Sequence, residues 1–340
     1  MKTQIITLNQ EQNVTLSCYL YDKSTEYPNL DVRPAVLIFP GGGYAVCSDK
    51  EAEPIALGYT QAGYNAFVLR YTLKSVKPWP APLNDYEKAM ETILSHAEEW
   101  GVDKKRIAVA GFSAGGHLAA CAATIAVHKP AAAILGYAAL TEETVSLCGK
   151  DIPIPIDLVD SQTAPCFLFS TRTDNVAPIQ NTLSFMQKLN DNGISFESHI
   201  YSYGPHGFGT GENIYNQPEI SDRAKTWLKD SVKWLGEYWG ERTYTGYSTP
   251  KFERTITGNG EKNLSLSCTY HYLQKQRGEA EMILQPVFEK INTLLKPNIS
   301  ATVLDVISKW VMRDIMPLIG FSVEDINAID EKLRQITNVR

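Results

Sequence analysis

Ser113 stands in Gly111-Phe112-Ser113-Ala114-Gly115, after a β-type run (Arg106-Ile107-Ala108-Val109-Ala110) and at the start of an Ala-rich segment. A glycine-flanked serine at a strand-to-helix turn exposes its hydroxyl above the sheet edge. A hydroxyl is a poor nucleophile until a base takes its proton and an acid orients that base. The chain offers both downstream of Ser113. Asp174, in Thr171-Arg172-Thr173-Asp174-Asn175, directly follows an apolar strand-like run, and His206, in Gly204-Pro205-His206-Gly207, follows the next one. Asp157 and Asp160 lie in an irregular segment and Asp191 at a helix end, where cap or turn roles fit better. His96 and His128 belong to helices or their ends, His199 to a strand, and His117 to the first turn after the serine, where it packs under the site or holds a loop.

Acyl transfer builds negative charge on the former carbonyl oxygen, and that charge needs fixed donors. Phe39-Pro40-Gly41-Gly42-Gly43-Tyr44 follows a buried-strand pattern, and its glycines let backbone N–H groups approach a substrate. Gly42 and Gly43 with the N–H of Ala114 form the candidate oxyanion hole; whether Gly41 or Gly43 points its N–H correctly stays open. The phosphate-binding patterns G-x-x-x-x-G-K-[ST] and G-x-G-x-x-G are absent from the sequence. Tyr44, Trp79, Tyr137 and Phe208 fall on loops near these residues. They are assigned to substrate binding, as faces for a sugar ring, against the alternative of packing around the triad.

These side chains need a frame. Apolar runs at 35–39, 66–71, 107–109, 133–137, 166–169 and 196–201 alternate with helical patterns. That alternation predicts an α/β fold with a mostly parallel sheet covered on both faces. Helices are expected over about Asn84–Trp100, after Pro178, and over about Ser221–Tyr238, with Val14–Leu20 as an antiparallel edge strand. Residues 1–240 are read as the catalytic domain and 241–340 as a linker plus helical module. Within the latter, Gly258-Asn259-Gly260 suits a tight turn, and helices are expected over about Glu279–Leu295, Val303–Met316 and Val323–Ile336. Asn298 or Ser300 would cap the second of these, and Ser322 with Asp325 resembles a capping box for the third.

The chain has 340 residues and a formal net charge of -6, which argues against nucleic acid or an anionic membrane as partner. Its six cysteines are scattered with no C-x-x-C and are read as reduced and structural. No apolar run is long enough for a membrane span, and no signal-peptide pattern opens the sequence. A cytoplasmic location is expected. The expected partners are a small-molecule ester, such as an acetylated oligosaccharide, and a second copy docked through the C-terminal module.

Taken together, Phe39–Tyr44, Gly111–Ala119, Asp174–Pro178 and Gly204–Gly207 resemble the α/β-hydrolase esterases, and most closely the acetyl-xylan-esterase-like carbohydrate esterases near the hormone-sensitive-lipase type. Val68–Tyr71, Trp79–Asp85 and Trp100–Asp103 fit the same pattern, so the likeness runs from about Asn13 to Tyr238. It implies serine-dependent ester hydrolysis, often removal of acetyl groups from sugar hydroxyls, with no metal or cofactor. Pro40 stands where lipase-like members carry His, which favours the xylan-esterase-like branch. The acid segment lacks the extra acidic residue more often found beside the catalytic one. The segment between Tyr137 and Cys166, where such folds insert a cap, is short, which favours a short acyl group. An amidase, peptidase or aryl-formamidase on the same triad is the alternative, followed by a non-catalytic binding protein.

Overall fold

A computed structural model describes residues 1–75, 77, 79–215, 220–295 and 306–338. The chain divides into two compact units, Met1–Arg254 and Thr255–Arg340. The first holds an eight-stranded sheet: β1 (Lys2–Asn9), β2 (Val14–Leu20), β3 (Arg33–Phe39), β4 (Asn65–Arg70), β5 (Val102–Phe112), β6 (Ala132–Gly136), β7 (Cys166–Thr171) and β8 (Phe196–Tyr201). Their spatial order is β1-β2-β4-β3-β5-β6-β7-β8. β2 is antiparallel to both β1 and β4, and every pairing from β4 through β8 is parallel.

Central strands read as unbroken apolar runs because both faces are covered, and side-chain alternation divides each strand between two cores. Ala35, Leu37 and Phe39 of β3 join one core, with Tyr86 and Met90 of α2 (Ala81–Ser95), Leu118 of α4 (Ala114–Ile125) and Phe185 of α6 (Gln180–Asp191). Val36 and Ile38 point the other way, to Ile55 and Tyr59 of α1 (Glu53–Gln61) and Trp227 and Trp234 of α7 (Trp227–Trp239).

Three expectations shift here. Val14–Leu20 is antiparallel but second in the sheet; the edge is β1, whose polar KTQIITLN sequence masks a half-exposed strand. The helix expected over Asn84–Trp100 breaks at His96, leaving α3 (Ala97–Trp100) as a separate turn. The helix expected from Ser221 begins as a 3₁₀ turn, Asp222–Thr226, before α7. Residues 241–254 pack within the first unit: Ser195 N–H donates to Arg254 O at 2.9 Å, and the Phe252 ring stacks on Tyr238 with centroids 5.3 Å apart.

The second unit gathers α8 (Tyr270–Gln274), α9 (Glu279–Leu295), α10 (Met312–Leu318) and α11 (Val323–Leu333) around its own core, including Leu266, Leu284, Val287, Met316 and Leu333. The Ser322–Asp325 capping box is present at the start of α11, and a 3₁₀ turn occupies Gly258–Gly260. The first part of the helix expected over Val303–Met316, with its candidate caps Asn298 and Ser300, lies outside the described residues. Among the described residues no helix is long and apolar enough to cross a membrane, and no cluster of His, Cys, Asp or Glu could hold a metal ion.

Candidate active site

β5 ends at Phe112 and α4 starts at Ala114, so Ser113 alone makes the turn, at φ 54° and ψ -117°. A non-glycine residue at positive φ is strained, and the surroundings must hold it there. They do so by close backbone approach: a Cβ on Gly115 would meet the Phe39 carbonyl at 2.1 Å, and one on Gly111 would meet the Gly115 carbonyl at 2.1 Å. Ser113 N–H also donates to the Gly136 carbonyl at 3.0 Å, pinning the turn to β6.

His206, on the loop after β8, brings Nε2 within 2.8 Å of Ser113 Oγ, and its Nδ1 lies 2.7 Å from Asp174 Oδ2. An ionised carboxylate only accepts, so this contact puts the imidazole proton on Nδ1 and leaves the Nε2 lone pair for the serine hydroxyl. Asp174 follows β7 and is buried, and its Oδ1 accepts the Val176 and Ala177 N–H groups at 2.8 and 2.9 Å. Three donors therefore converge on one carboxylate and fix its orientation. The acid and histidine loops are tied together: Thr171 Oγ1 donates to Gly204 O at 2.7 Å and Gly204 N–H donates to Thr173 Oγ1 at 3.0 Å.

At the glycine loop, Gly41 N–H donates to the buried carboxylate of Glu51, 2.8 Å to Oε2, and is spent on that bond. Among the described residues no acceptor is found for the Gly42 and Gly43 N–H groups, whose residues take φ of 128° and 61°. Ala114 is the first residue of α4, where the N–H has no intrahelical partner. Gly42, Gly43, Ser113 and His206 all line one cavity of about 480 Å³. Its outer wall comes from α5 (Glu142–Cys148), through Thr144, Leu147 and Cys148. This seven-residue helix is the main element of the short segment between Tyr137 and Cys166.

The aromatic assignments need correction. Tyr44, Tyr137 and Phe208 are 2%, 1% and 0% exposed, so none offers a face to a sugar. Tyr137 and Phe208 pack beside His206 instead: the Tyr137 ring meets those of His206 and Phe208 with centroids 5.2 and 4.8 Å apart. Tyr44 forms a 2.8 Å hydrogen bond with Nδ1 of the buried His117, whose Nε2 lies 2.8 Å from Pro153 O. The carbonyl can only accept, so Nε2–H donates to it and Nδ1 accepts the Tyr44 hydroxyl. Burial pushes the His117 imidazole down to about 4, against the Pro153 hydrogen bond, and keeps the ring neutral. Trp79 is half-buried and lines a different cavity, about 320 Å³, with Lys74, Lys77 and Ile152.

Glu51 escaped the sequence reading because it sits in the charged stretch Asp49-Lys50-Glu51-Ala52-Glu53, which suits a solvated helix start. It belongs to the 3₁₀ turn Asp49–Glu51, separated from α1 by Ala52 at φ -106° and ψ -103°, so helical spacing carried no signal of its burial. Burial pushes its carboxyl up from the ordinary range, while hydrogen bonds from Tyr137 and Gly41 and the nearby His206 and Lys50 pull it back.

The profile of the family described as BD-FAE matches residues 25–130, and that of the prolyl oligopeptidase family matches residues 81–237. A solved α/β-hydrolase enzyme from a Medee basin deep-sea metagenome library is 42% identical, with a TM-score of 0.65, over 70% of this chain and 97% of that one. The chain belongs to the α/β-hydrolases. An acetyl ester-xyloside bifunctional hydrolase from Caldicellulosiruptor lactoaceticus is 29% identical with a TM-score of 0.60, over 68% of this chain and 95% of that one. An acetylxylan esterase from Xylanibacter ruminicola is 25% identical over 246 residues, 66% of this chain and 50% of that protein. The chain spans only 32% and 50% of the length of the first curated relatives it matches. Both family matches fall within the first unit of this hydrolase.

Proposed function

We propose that the chain is a serine esterase that removes short acyl groups, acetyl above all, from a sugar or another polar alcohol. The observation that carries the reading is the continuous contact from Ser113 Oγ through His206 to Asp174, at 2.8 and 2.7 Å. As Ser113 Oγ attacks the ester carbonyl carbon, its proton passes to His206 Nε2, and Asp174 stabilises the imidazolium and holds its orientation. The carbonyl oxygen, now negative, takes hydrogen bonds from the Gly42, Gly43 and Ala114 N–H groups. Collapse breaks the C–O bond to the alcohol, which leaves with the proton from Nε2. Water then attacks the acyl-serine by the same route, releasing the carboxylic acid and restoring Ser113.

A short acyl group fits a site walled by one seven-residue helix in place of an extended cap. The acetylxylan esterase and acetyl ester-xyloside hydrolase among the relatives support acetylated sugars as substrates. The test is a panel of p-nitrophenyl esters from acetyl to octanoyl, with acetylated xylo-oligosaccharides beside them. Highest kcat/KM on acetyl esters, with acetate released from the oligosaccharides, is expected; an octanoyl preference would overturn the short-acyl reading. The match of residues 81–237 to the prolyl oligopeptidase family favours a second reading, an amidase or peptidase on the same triad. Cleavage of peptidyl amides faster than esters would select it.

A further inference from the structure

We infer that Glu51 is a positioning residue for this acyl transfer, tying the oxyanion loop to the histidine loop through a single buried carboxylate. The inference rests on the proposed esterase reading. Glu51 is 2% exposed, and its two oxygens serve different loops. Oε2 accepts the Gly41 N–H at 2.8 Å, and Oε1 accepts the Tyr137 hydroxyl at 2.7 Å. The Tyr137 oxygen in turn accepts the Gly209 N–H at 2.9 Å, three residues after His206. One chain of contacts thus runs from the residue before the Gly42 and Gly43 amides to the loop that carries the base.

Burying a carboxylate is unfavourable unless its lone pairs are satisfied, and a replacement that merely filled the space would avoid that cost. Both Glu51 partners donate to it, and a carboxylate accepts on both arms. Gln would turn its NH₂ group either to Gly41 N–H, which can only donate, or to Tyr137, whose hydroxyl must then accept and redirect its own proton. The consequence is geometric. With Gly41 N–H held by Glu51, the start of the Gly42-Gly43 segment that lines the cavity with Ser113 is fixed. Tyr137 is itself held at φ 33°, with its ring against His206, so its hydroxyl tether restrains the imidazole as well. A misplacement of about 1 Å at such donors can cost 10²-fold.

The test compares wild type, Glu51→Gln, Tyr137→Phe and the double variant, reading kcat, KM, melting temperature and the rate of Ser113 labelling by a fluorophosphonate. Glu51→Gln should lower kcat and the labelling rate about 10- to 100-fold, with KM changed less than about twofold. Tyr137→Phe, which cuts one arm, should cost less, and the double variant less than the product of the two, because both sever one tether. Wild-type labelling speed and kcat in Glu51→Gln, measured well below its melting temperature, would overturn the inference; so would strict multiplicativity. If Glu51→Gln does not fold, Tyr137→Phe decides alone, and an unchanged kcat in it overturns the inference. Failure of wild type to label would instead break the esterase reading.

Discussion

The three residues of the proposed triad do unequal work. In the proposed mechanism Asp174 does not meet substrate but fixes which imidazole nitrogen is free, so Asp174→Asn should reverse the hydrogen-bond sense and leave Nε2 protonated. A loss on the order of 10³–10⁴ in kcat is expected, with the thermal transition nearly unmoved; a loss under tenfold would exclude Asp174 as the orienting acid. His117 behaves differently because it is buried and neutral. Its folded value of about 4 lies below the ordinary 6.5, so between these limits the unfolded chain binds a proton that the folded chain refuses. Stability from this group is complete above about pH 6.5 and falls as pH drops toward 4, by about 3 kcal/mol in all. Urea titrations at neutral pH and near pH 4.5 should show that loss in wild type and a smaller one in His117→Gln. Equal losses in the two proteins would remove His117 as the cause.

Among the elements, the turn from β5 into α4 is the most tightly specified. A methyl group on Gly115 would lie 2.1 Å from the Phe39 carbonyl, and backbone cannot yield as a side-chain tip can. Gly115→Ala should therefore push α4 off the sheet, destabilise the protein by about 1–3 kcal/mol, and move Ser113 enough to reduce activity even where the protein is folded. Chemical denaturation with kcat measured alongside checks it; a variant with unchanged stability would contradict the close approach. This turn was legible in the sequence because G-x-S-x-G leaves few alternatives between a strand and a helix. The central strands were legible too, since apolar runs such as Ala35-Val36-Leu37-Ile38-Phe39 suit burial on both faces. β1 was not, because a strand half in water alternates polar residues that look like an irregular terminus. The aromatic positions failed for another reason: loop location says nothing about which way a ring turns, and Tyr44, Tyr137 and Phe208 turn inward. Glu51 was hidden by charged neighbours whose own side chains face solvent.

On the scale of the whole molecule, among the described residues the cores of Met1–Arg254 and that of Thr255–Arg340 share no residue and are built from separate stretches of sequence. Calorimetry should resolve two transitions. Leu284→Ala, at a fully buried position of the second unit, should lower one of them by about 2–5 kcal/mol and leave the other in place. A single transition that moves as a whole would show that the units melt together.

The proposed base, meanwhile, hangs from the rim. His206 follows β8, which ends the sheet and pairs with β7 alone, while Ser113, the proposed nucleophile, springs from β5 in the interior. Outermost strands open before central ones. Mild urea should therefore peel away the imidazole first, abolishing activity while the Trp100 indole stays packed against Phe67 of β4.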